Sequence, residues 1–219
     1  MGSSLPASWP SLPGPKSVLC LGAHSDDIEI GCGGTLLTLA DANPDMEVVW
    51  VVLASGSDER RAEAEASASR LLGDRVVDVQ LLAHRERYLH YSSEVKEFFD
   101  QLGRAVDPAL VLTPHVLDQH QDHRTVGELT WNTFRSHAIW EYEIVKYEGD
   151  LGQPNLYVPL SEANLDRKIE HLAAAFPSQA DRYWFSEDTF RGLARIRGVE
   201  CRAASGYAEA FHARKVVLT

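Results

Sequence analysis

The sequence is short of cysteine, of long apolar runs and of basic residues. Its three cysteines among 219 residues are odd in number and irregularly spaced, which argues against a disulfide framework or a cysteine-rich zinc site. Their scarcity favours a reducing compartment, so we expect a cytoplasmic protein. No segment approaches the ~18 consecutive apolar residues that cross a bilayer, so no integral membrane segment is expected.

Acidic residues outnumber basic ones by 32 to 21, which gives a formal net charge of −11. Such a chain is a poor partner for nucleic acid or for an anionic membrane surface, and neither is expected as its main partner. Residues 1–16 are rich in Ser, Pro and Gly and lack the basic and apolar parts of a secretory signal. We expect them to form a flexible extension before a single domain over residues 17–219.

Apolar runs and helical patterns alternate through about residue 135. Strand–helix alternation requires crossover connections, which give a parallel sheet with helices on both faces. We therefore predict a single-domain α/β fold with a Rossmann-like, doubly wound, mainly parallel sheet. The less regular C-terminal third is expected to build one wall of a cleft. The cluster Gly31–Gly34 is expected to turn the chain tightly before a helix over residues 35–42.

The first predicted strand ends in a histidine and two aspartates, within the run His24-Ser25-Asp26-Asp27. In an open α/β sheet the carboxyl ends of the strands face the crevice where ligands bind. His24 and Asp27 can therefore point into one cleft as metal ligands, while Asp26 stays free as a base. Buried carboxylates are costly unless they are paired or bound to a cation, which favours this interpretation.

A second polar run, His120-Gln121-Asp122-His123, comes after the fourth predicted strand. Two strand ends would thus deliver histidine and aspartate to the same edge of the sheet. Catalytic zinc takes three histidine or carboxylate ligands and leaves a fourth position for water. A set of that kind is offered by His24, Asp27 and His123.

The two runs, with Gly31-Cys32-Gly33-Gly34-Thr35 after the first, resemble the signature blocks of the PIG-L (LmbE-like) zinc-dependent N-deacetylase family. The usual blocks read His-Pro-Asp-Asp and His-Pro-Asp-His, and this chain has Ser25 and Gln121 at the proline positions. Neither proline supplies a ligand, so these differences affect the turns more than the chemistry. Late segments that contain Lys168 and Glu209 are also similar to the family's blocks.

The resemblance implies a hydrolase that acts on a linear amide C–N bond and removes an N-acetyl group from an N-acetylglucosamine-like amino sugar or its conjugate. It implies that the zinc ligands are His24, Asp27 and His123. It also implies that Asp26 is the general base for the attacking water. The substrate is then a small acetamido sugar, and relatives of this kind often form homo-oligomers.

Other polar residues are assigned from their chemistry and position. His120 is expected to stabilise the tetrahedral oxyanion or to protonate the departing amine. Asp122 is expected to orient His120 or an arginine, or else to cap a helix. Arg61 and Tyr142 are candidate substrate-binding residues. No organic cofactor is expected, and Fe²⁺ or another divalent metal could replace Zn²⁺ because the same ligands serve several metals.

Other functions remain open at this stage. The same residues could serve an amidase that acts on a larger thiol or antibiotic conjugate, or a sugar-binding relative that has lost turnover. A nucleotide-binding module could use Gly31–Gly34 as a phosphate cradle before a helix. The glycine spacing matches neither G-x-G-x-x-G nor a P-loop, and a nucleotide site leaves the histidines unexplained.

Overall fold

One seven-stranded sheet forms the centre of the molecule. The computed structural model describes residues 14–216, and among these the strand order is β3-β2-β1-β4-β5-β7-β6. The first five strands pair in parallel, whereas β7 is antiparallel to both β5 and β6. The strands are β1 Ser17–Gly22, β2 Glu47–Val52, β3 Val76–Leu81, β4 Leu110–Pro114, β5 Ala138–Tyr142, β6 Leu156–Pro159 and β7 Ala208–His212.

Helices cover both faces of this sheet. Side chains of a strand point alternately to the two faces, and on β1 Val18 and Cys20 enter one core while Leu19 and Leu21 enter the other. The first core includes α1, α2, α5 and α6, and the second includes α3 and α4. The predicted mainly parallel α/β fold is therefore confirmed. The helices are α1 Asp27–Ala42, α2 Asp58–Leu72, α3 Ser93–Ala105, α4 Gln121–Thr133, α5 Glu162–Ala175 and α6 Glu187–Glu200.

The path of the chain opens a crevice between β1 and β4. From β1 the chain moves through β2 to β3 at one edge, then returns so that β4 pairs with the other side of β1. Helices that leave two adjacent strands in opposite directions leave a gap at their carboxyl ends, which is where ligands bind in such sheets. The first histidine run follows β1, and the second follows β4.

The glycine cluster Gly31–Gly34 lies inside α1, so the predicted tight turn before a helix at Thr35 is wrong. The helix already begins at Asp27. A Cβ atom at Gly31 would overlap the ring of Tyr142, and one at Gly34 would lie 2.6 Å from Cδ1 of Leu160. The glycines therefore serve close packing of the helix against the C-terminal part of the sheet.

The chain ends fit the predictions in part. The last strand of the described range, β7, ends at His212. Most of the predicted flexible extension, residues 1–13, lies outside the described residues. The carbonyls of Gly14 and Pro15 accept hydrogen bonds from Nδ2 of Asn43 at 3.3 and 2.8 Å. No helix in the described range 14–216 has the length and apolarity needed to cross a bilayer.

Candidate metal centre and catalytic cleft

Three predicted metal ligands meet at the crevice between β1 and β4. His24 lies in the turn after β1, Asp27 begins α1, and His123 lies in the first turn of α4. The Nδ1 atom of His24 is 3.2 Å from Nε2 of His123, and Oδ1 of Asp27 is 3.4 Å from that same Nε2. Two segments about a hundred residues apart thus present nitrogen and oxygen atoms to one point.

The carboxylate of Asp27 is held in place by the backbone. Its Oδ2 atom accepts hydrogen bonds from the N–H groups of Ala23 and His24, both at 2.8 Å. These bonds leave Oδ1 facing His123. The turn between β1 and α1 therefore orients one carboxylate oxygen toward the ring nitrogens.

This donor set fits a divalent cation. Zn–N and Zn–O bonds of about 2.0–2.1 Å in a tetrahedron put neighbouring ligand atoms about 3.3–3.4 Å apart, close to the separations between His24, Asp27 and His123. Burial opposes charge on His24, yet Asp27 and Asp122 raise its pKa to about 10. The space between the rings of His24 and His123 therefore favours a positive charge. The nitrogens of a wider group, His24, His120 and His123, lie within 4.8 Å of one another.

The carboxylate of Asp122 is bonded to His24. Among the described residues it makes no hydrogen bond to the ring of His120 or to an arginine side chain and does not cap the helix, so the expected roles are not seen. Its Oδ2 atom lies 3.2 Å from Nε2 of His24 and also accepts the backbone N–H of Arg87. Its Oδ1 atom accepts the N–H of Leu89 at 3.3 Å. The helix cap is formed by the ring of His120, which accepts the backbone N–H of Asp122.

Asp118, to which the sequence assigned no role, supports His123. Its Oδ2 atom is 3.0 Å from Nδ1 of His123 and accepts a hydrogen bond from Nζ of Lys146 at 2.8 Å. Its Oδ1 atom accepts the N–H of His120 at 2.7 Å. The position of an acid five residues before His123 was the available sequence signal, because a ligand histidine usually bonds a carboxylate through its second ring nitrogen.

Asp26 lies beside the three candidate ligands with a different partner. It is 5% exposed, and its Oδ1 atom accepts a hydrogen bond from Arg60 at 2.6 Å. Burial raises the pKa of Asp26, against the opposing effect of the guanidinium. Arg60 in turn lies 3.5 Å from Glu63, whose carboxylate is held by the backbone and hydroxyl of Ser178. The candidate base is therefore held in place by Arg60.

His120 caps α4 and faces the same cleft. Its Nδ1 atom accepts the backbone N–H of Asp122 at 3.2 Å, so in the neutral ring the proton lies on Nε2. Burial and the neighbouring rings of His123 and His24 lower its pKa to about 4. His120 is therefore a neutral hydrogen-bond donor near pH 7. Gln121 begins the helix at the position where the family's proline would also fit.

A cleft of about 460 Å³ opens above these residues, a size typical of small-molecule sites. One wall comes from the C-terminal third, as expected from the sequence. It is formed by Ile144, Lys146, Tyr147, Glu148, Gln179, Arg182 and Trp184.

Neither of the two candidate substrate-binding residues, Arg61 and Tyr142, lines the cleft. Tyr142 is fully buried, and its hydroxyl donates to the carbonyl of Leu21 at 2.6 Å. Arg61 turns away from the cleft and donates to the carbonyl of Leu81. Its neighbour Arg60 lines the cleft instead. Consecutive helical residues point about 100° apart, so only one of two adjacent arginines can face the site.

Lys168 and Glu209, from the late segments, form a buried ion pair of 2.6 Å outside the cleft. Glu209 also accepts the N–H groups of Gly34 and Thr35, at 3.0 and 2.6 Å. Lys168 donates to the carbonyl of Ile30 at 2.6 Å. This pair fixes the middle of α1, the helix that begins with Asp27.

Residues 19–134, more than half of the chain, match the family model described as PIG-L: GlcNAc-PI de-N-acetylase. The chain is 33% identical over 130 residues to the diacetylchitobiose deacetylase of Thermococcus kodakarensis, a match that covers 52% of this chain and 47% of that protein. It is 31% identical over 120 residues to the deacetylase YaiS of Escherichia coli, over 51% of this chain and 64% of that protein. The match thus spans less than two thirds of either relative.

A solved structure gives a longer match. The N,N'-diacetylchitobiose deacetylase of Pyrococcus horikoshii, in complex with its inhibitor, superposes with a TM-score of 0.68 at 27% identity, over 90% of this chain and 83% of that chain. The superposition includes the C-terminal wall as well as the region of the family model. On the sequence match and the shared fold, this chain belongs to the PIG-L family.

Proposed function

We propose that this protein is a metal-dependent hydrolase that removes an N-acetyl group from an N-acetylglucosamine-like amino sugar or its conjugate. The observation that carries the proposal is the meeting of His24, Asp27 and His123 at one point, beside the separate carboxylate of Asp26. An acetamido sugar is favoured because the 33% identical relative is a diacetylchitobiose deacetylase.

His24, Asp27 and His123 are proposed to hold Zn²⁺, or another divalent metal such as Fe²⁺. The bound cation would lower the pKa of water to about 7 and polarise the amide carbonyl. Asp122 and Asp118 act through the two histidines, since each carboxylate bonds the ring nitrogen that faces away from the metal point.

Asp26 is proposed to take the proton of the attacking water. Arg60 occupies its Oδ1 atom, which leaves Oδ2 as the acceptor. Because burial raises its pKa, this carboxylate is a stronger base than an exposed aspartate. His120 donates its Nε2 proton as a hydrogen bond to the developing oxyanion. The departing amine then takes the proton held by Asp26, because His120 is neutral and cannot readily give up its only ring proton.

Several further expectations complete the proposal. Residues 17–219 are proposed to act as one catalytic domain, since strands from both ends of this range lie in one sheet. The net charge of −11 disfavours nucleic acid as a partner. A cytoplasmic location and homo-oligomer formation stay predictions.

Acetate release tests the proposed function. The purified protein, loaded with Zn²⁺, should release acetate from N,N'-diacetylchitobiose or from a conjugate of N-acetylglucosamine. Chelation should abolish the release, and added Zn²⁺ should restore it. If the metal-loaded protein cleaves no amide across a broad panel of acetamido sugars and conjugates, the substrate assignment is wrong.

Two histidine variants provide a matched comparison for the metal centre. His123→Gln should lose stoichiometric zinc and acetate release together. His137→Gln should keep both, because His137 lies beside Asp107 at the amino ends of the strands, away from the cleft. Equal zinc content in the two variants would contradict the ligand assignment.

A further inference from the structure

Lys146 lies in the cleft wall, yet its ammonium group already donates hydrogen bonds to acceptors within the protein. Its Nζ atom lies 2.8 Å from Oδ2 of Asp118, 2.9 Å from each carboxylate oxygen of Asp150, and 3.2 Å from the carbonyl of Ile144. The side chain is 9% exposed. An ammonium group has three protons to donate, so none is left for a substrate.

One of these acceptors is also the atom that orients a candidate metal ligand. Oδ2 of Asp118 lies between Nζ of Lys146 and Nδ1 of His123. Because Nδ1 of His123 donates to this oxygen, its Nε2 lone pair faces His24 and Asp27. Any change in the position of Asp118 is therefore passed directly to the ligand nitrogen.

Two sets of hydrogen bonds join the wall segment, residues 143–152, to other parts of the described chain. Arg197 holds its two ends through Glu143, at 2.6 and 2.9 Å, and through the carbonyl of Gly152 at 3.1 Å. Its middle is held through Lys146 and through Asp150, which accepts the N–H of Gln119 at 2.7 Å. Of these two sets of hydrogen bonds, the second reaches the loop that contains Asp118, which supports His123.

We infer that Lys146 is a positioning residue that couples the cleft wall to the metal ligand His123 through Asp118. The inference rests on the proposed function, in that it takes His123 as a metal ligand. Without the ammonium group, Asp118 remains a buried carboxylate, 4% exposed, with less to fix its orientation. The His123 ring then loses part of its alignment, and metal affinity falls.

Zinc affinity tests this coupling without reference to turnover. The full chain is stripped of metal, and its zinc dissociation constant is measured by competition with a chromophoric chelator. Loss of a carboxylate behind a ligand histidine costs about 10- to 100-fold in metal affinity, and we expect this of Asp118→Asn. Lys146→Met should weaken zinc binding by about tenfold. The double variant Asp118→Asn with Lys146→Met should bind zinc like Asp118→Asn alone, because Lys146 acts through Asp118.

Arg197→Gln is the matched control, because it frees the ends of the same wall segment without touching Asp118. It should leave the zinc dissociation constant unchanged. Unchanged affinity in Lys146→Met, an equal loss in Arg197→Gln, or additive losses in the double variant would each overturn the inference. Circular dichroism confirms folding, and Lys146→Gln replaces Lys146→Met in the same scheme if the latter does not fold. Altered zinc affinity in a protein that releases no acetate would support the coupling and refute the proposed function.

Discussion

Buried charges are arranged differently at the cleft and in the C-terminal third. At the cleft, the ring nitrogens of His24 and His123 face each other at 3.2 Å, with the carboxylate of Asp27 beside them. In the C-terminal third, Arg197 makes two bonds to Glu143, and Lys168 is paired with Glu209 at 2.6 Å. The first set has the arrangement that we propose holds a cation, whereas the charges of the second set are paired within the chain.

This difference distinguishes the proposed catalytic groups of the cleft from the ion pairs that stabilise the fold. A complete buried ion pair gives little net stability over an apolar pair, but removal of one partner leaves a costly isolated charge. Groups at a catalytic centre are oriented toward a ligand, so their loss costs activity more than stability. The following variants test the comparison, in order of decreasing expected effect.

Asp26→Asn should lower kcat by about a thousandfold, within the range that a general base contributes. The amide still bonds Arg60 through Oδ1 but accepts no proton from water. Steady-state acetate release measures the effect, with zinc content and the urea unfolding midpoint as controls. A kcat within tenfold of the unmodified protein would rule out Asp26 as the base.

Lys168→Met should destabilise the protein by about 3–5 kcal/mol, because Glu209, 6% exposed, then remains charged without its cation. Urea unfolding at pH 7 measures the change. A second substitution, Glu209→Gln, should recover part of the loss by removing the isolated charge. The comparison fails if Lys168→Met leaves stability unchanged and instead abolishes acetate release.

Gly31→Ala should destabilise the protein by about 1–3 kcal/mol or more, the usual cost of overpacking, because its Cβ overlaps the buried ring of Tyr142. Gly192→Ala in α6 is the control, since a Cβ there meets nothing within 4 Å. That change should stabilise the protein by about 0.5–1 kcal/mol through helix propensity. Equal changes in melting temperature for the two variants would show that α1 is not tightly packed at Gly31.

His171 should make stability depend on pH in the acidic range. Burial, with a smaller contribution from Arg70, lowers its pKa from 6.5 to about 4, and its Nε2 atom bonds Ser67 at 2.7 Å. The unfolded chain binds the proton first, so the His171 contribution is complete above pH 6.5 and is lost as the pH falls toward about 4. The full loss is about 3 kcal/mol.

His171→Gln provides the control for this pH effect, because its amide can still bond Ser67. The difference in unfolding free energy between the two proteins, measured at pH 7, 6 and 5, isolates the histidine from the carboxylates that also titrate. A difference that is constant over this range would contradict a lowered pKa of His171.

The sequence was sufficient to predict that the two histidine runs lie together, because each run follows the carboxyl end of a parallel strand. His24 and His123 meet since the carboxyl ends of adjacent parallel strands β1 and β4 share one edge. Side-chain direction was harder to predict. Arg60 and Arg61 differ only by rotation around α2, and Tyr142 points inward at the end of β5, so neither outcome follows from residue type.

Roles that depend on distant partners were also beyond the sequence. The glycines of α1 look like a turn until their neighbours Tyr142 and Leu160 are known. Asp118 looks like an ordinary loop acid until Lys146, 28 positions later, is placed against it. Such pairings depend on tertiary packing, which local patterns do not contain.

The position of β7 has a consequence for how the molecule is made. This last strand lies between β5 and β6, and its Glu209 holds the amides of Gly34 and Thr35 near the start of the chain. During synthesis, β6 leaves the ribosome before β7, the strand with which it pairs. The hydrogen bonds from α1 to the carboxylate of Glu209 form only after residue 209 has emerged. The proposed metal ligands His24, Asp27 and His123 are thus all translated before α1, which begins with Asp27, gains its hydrogen bonds to Glu209.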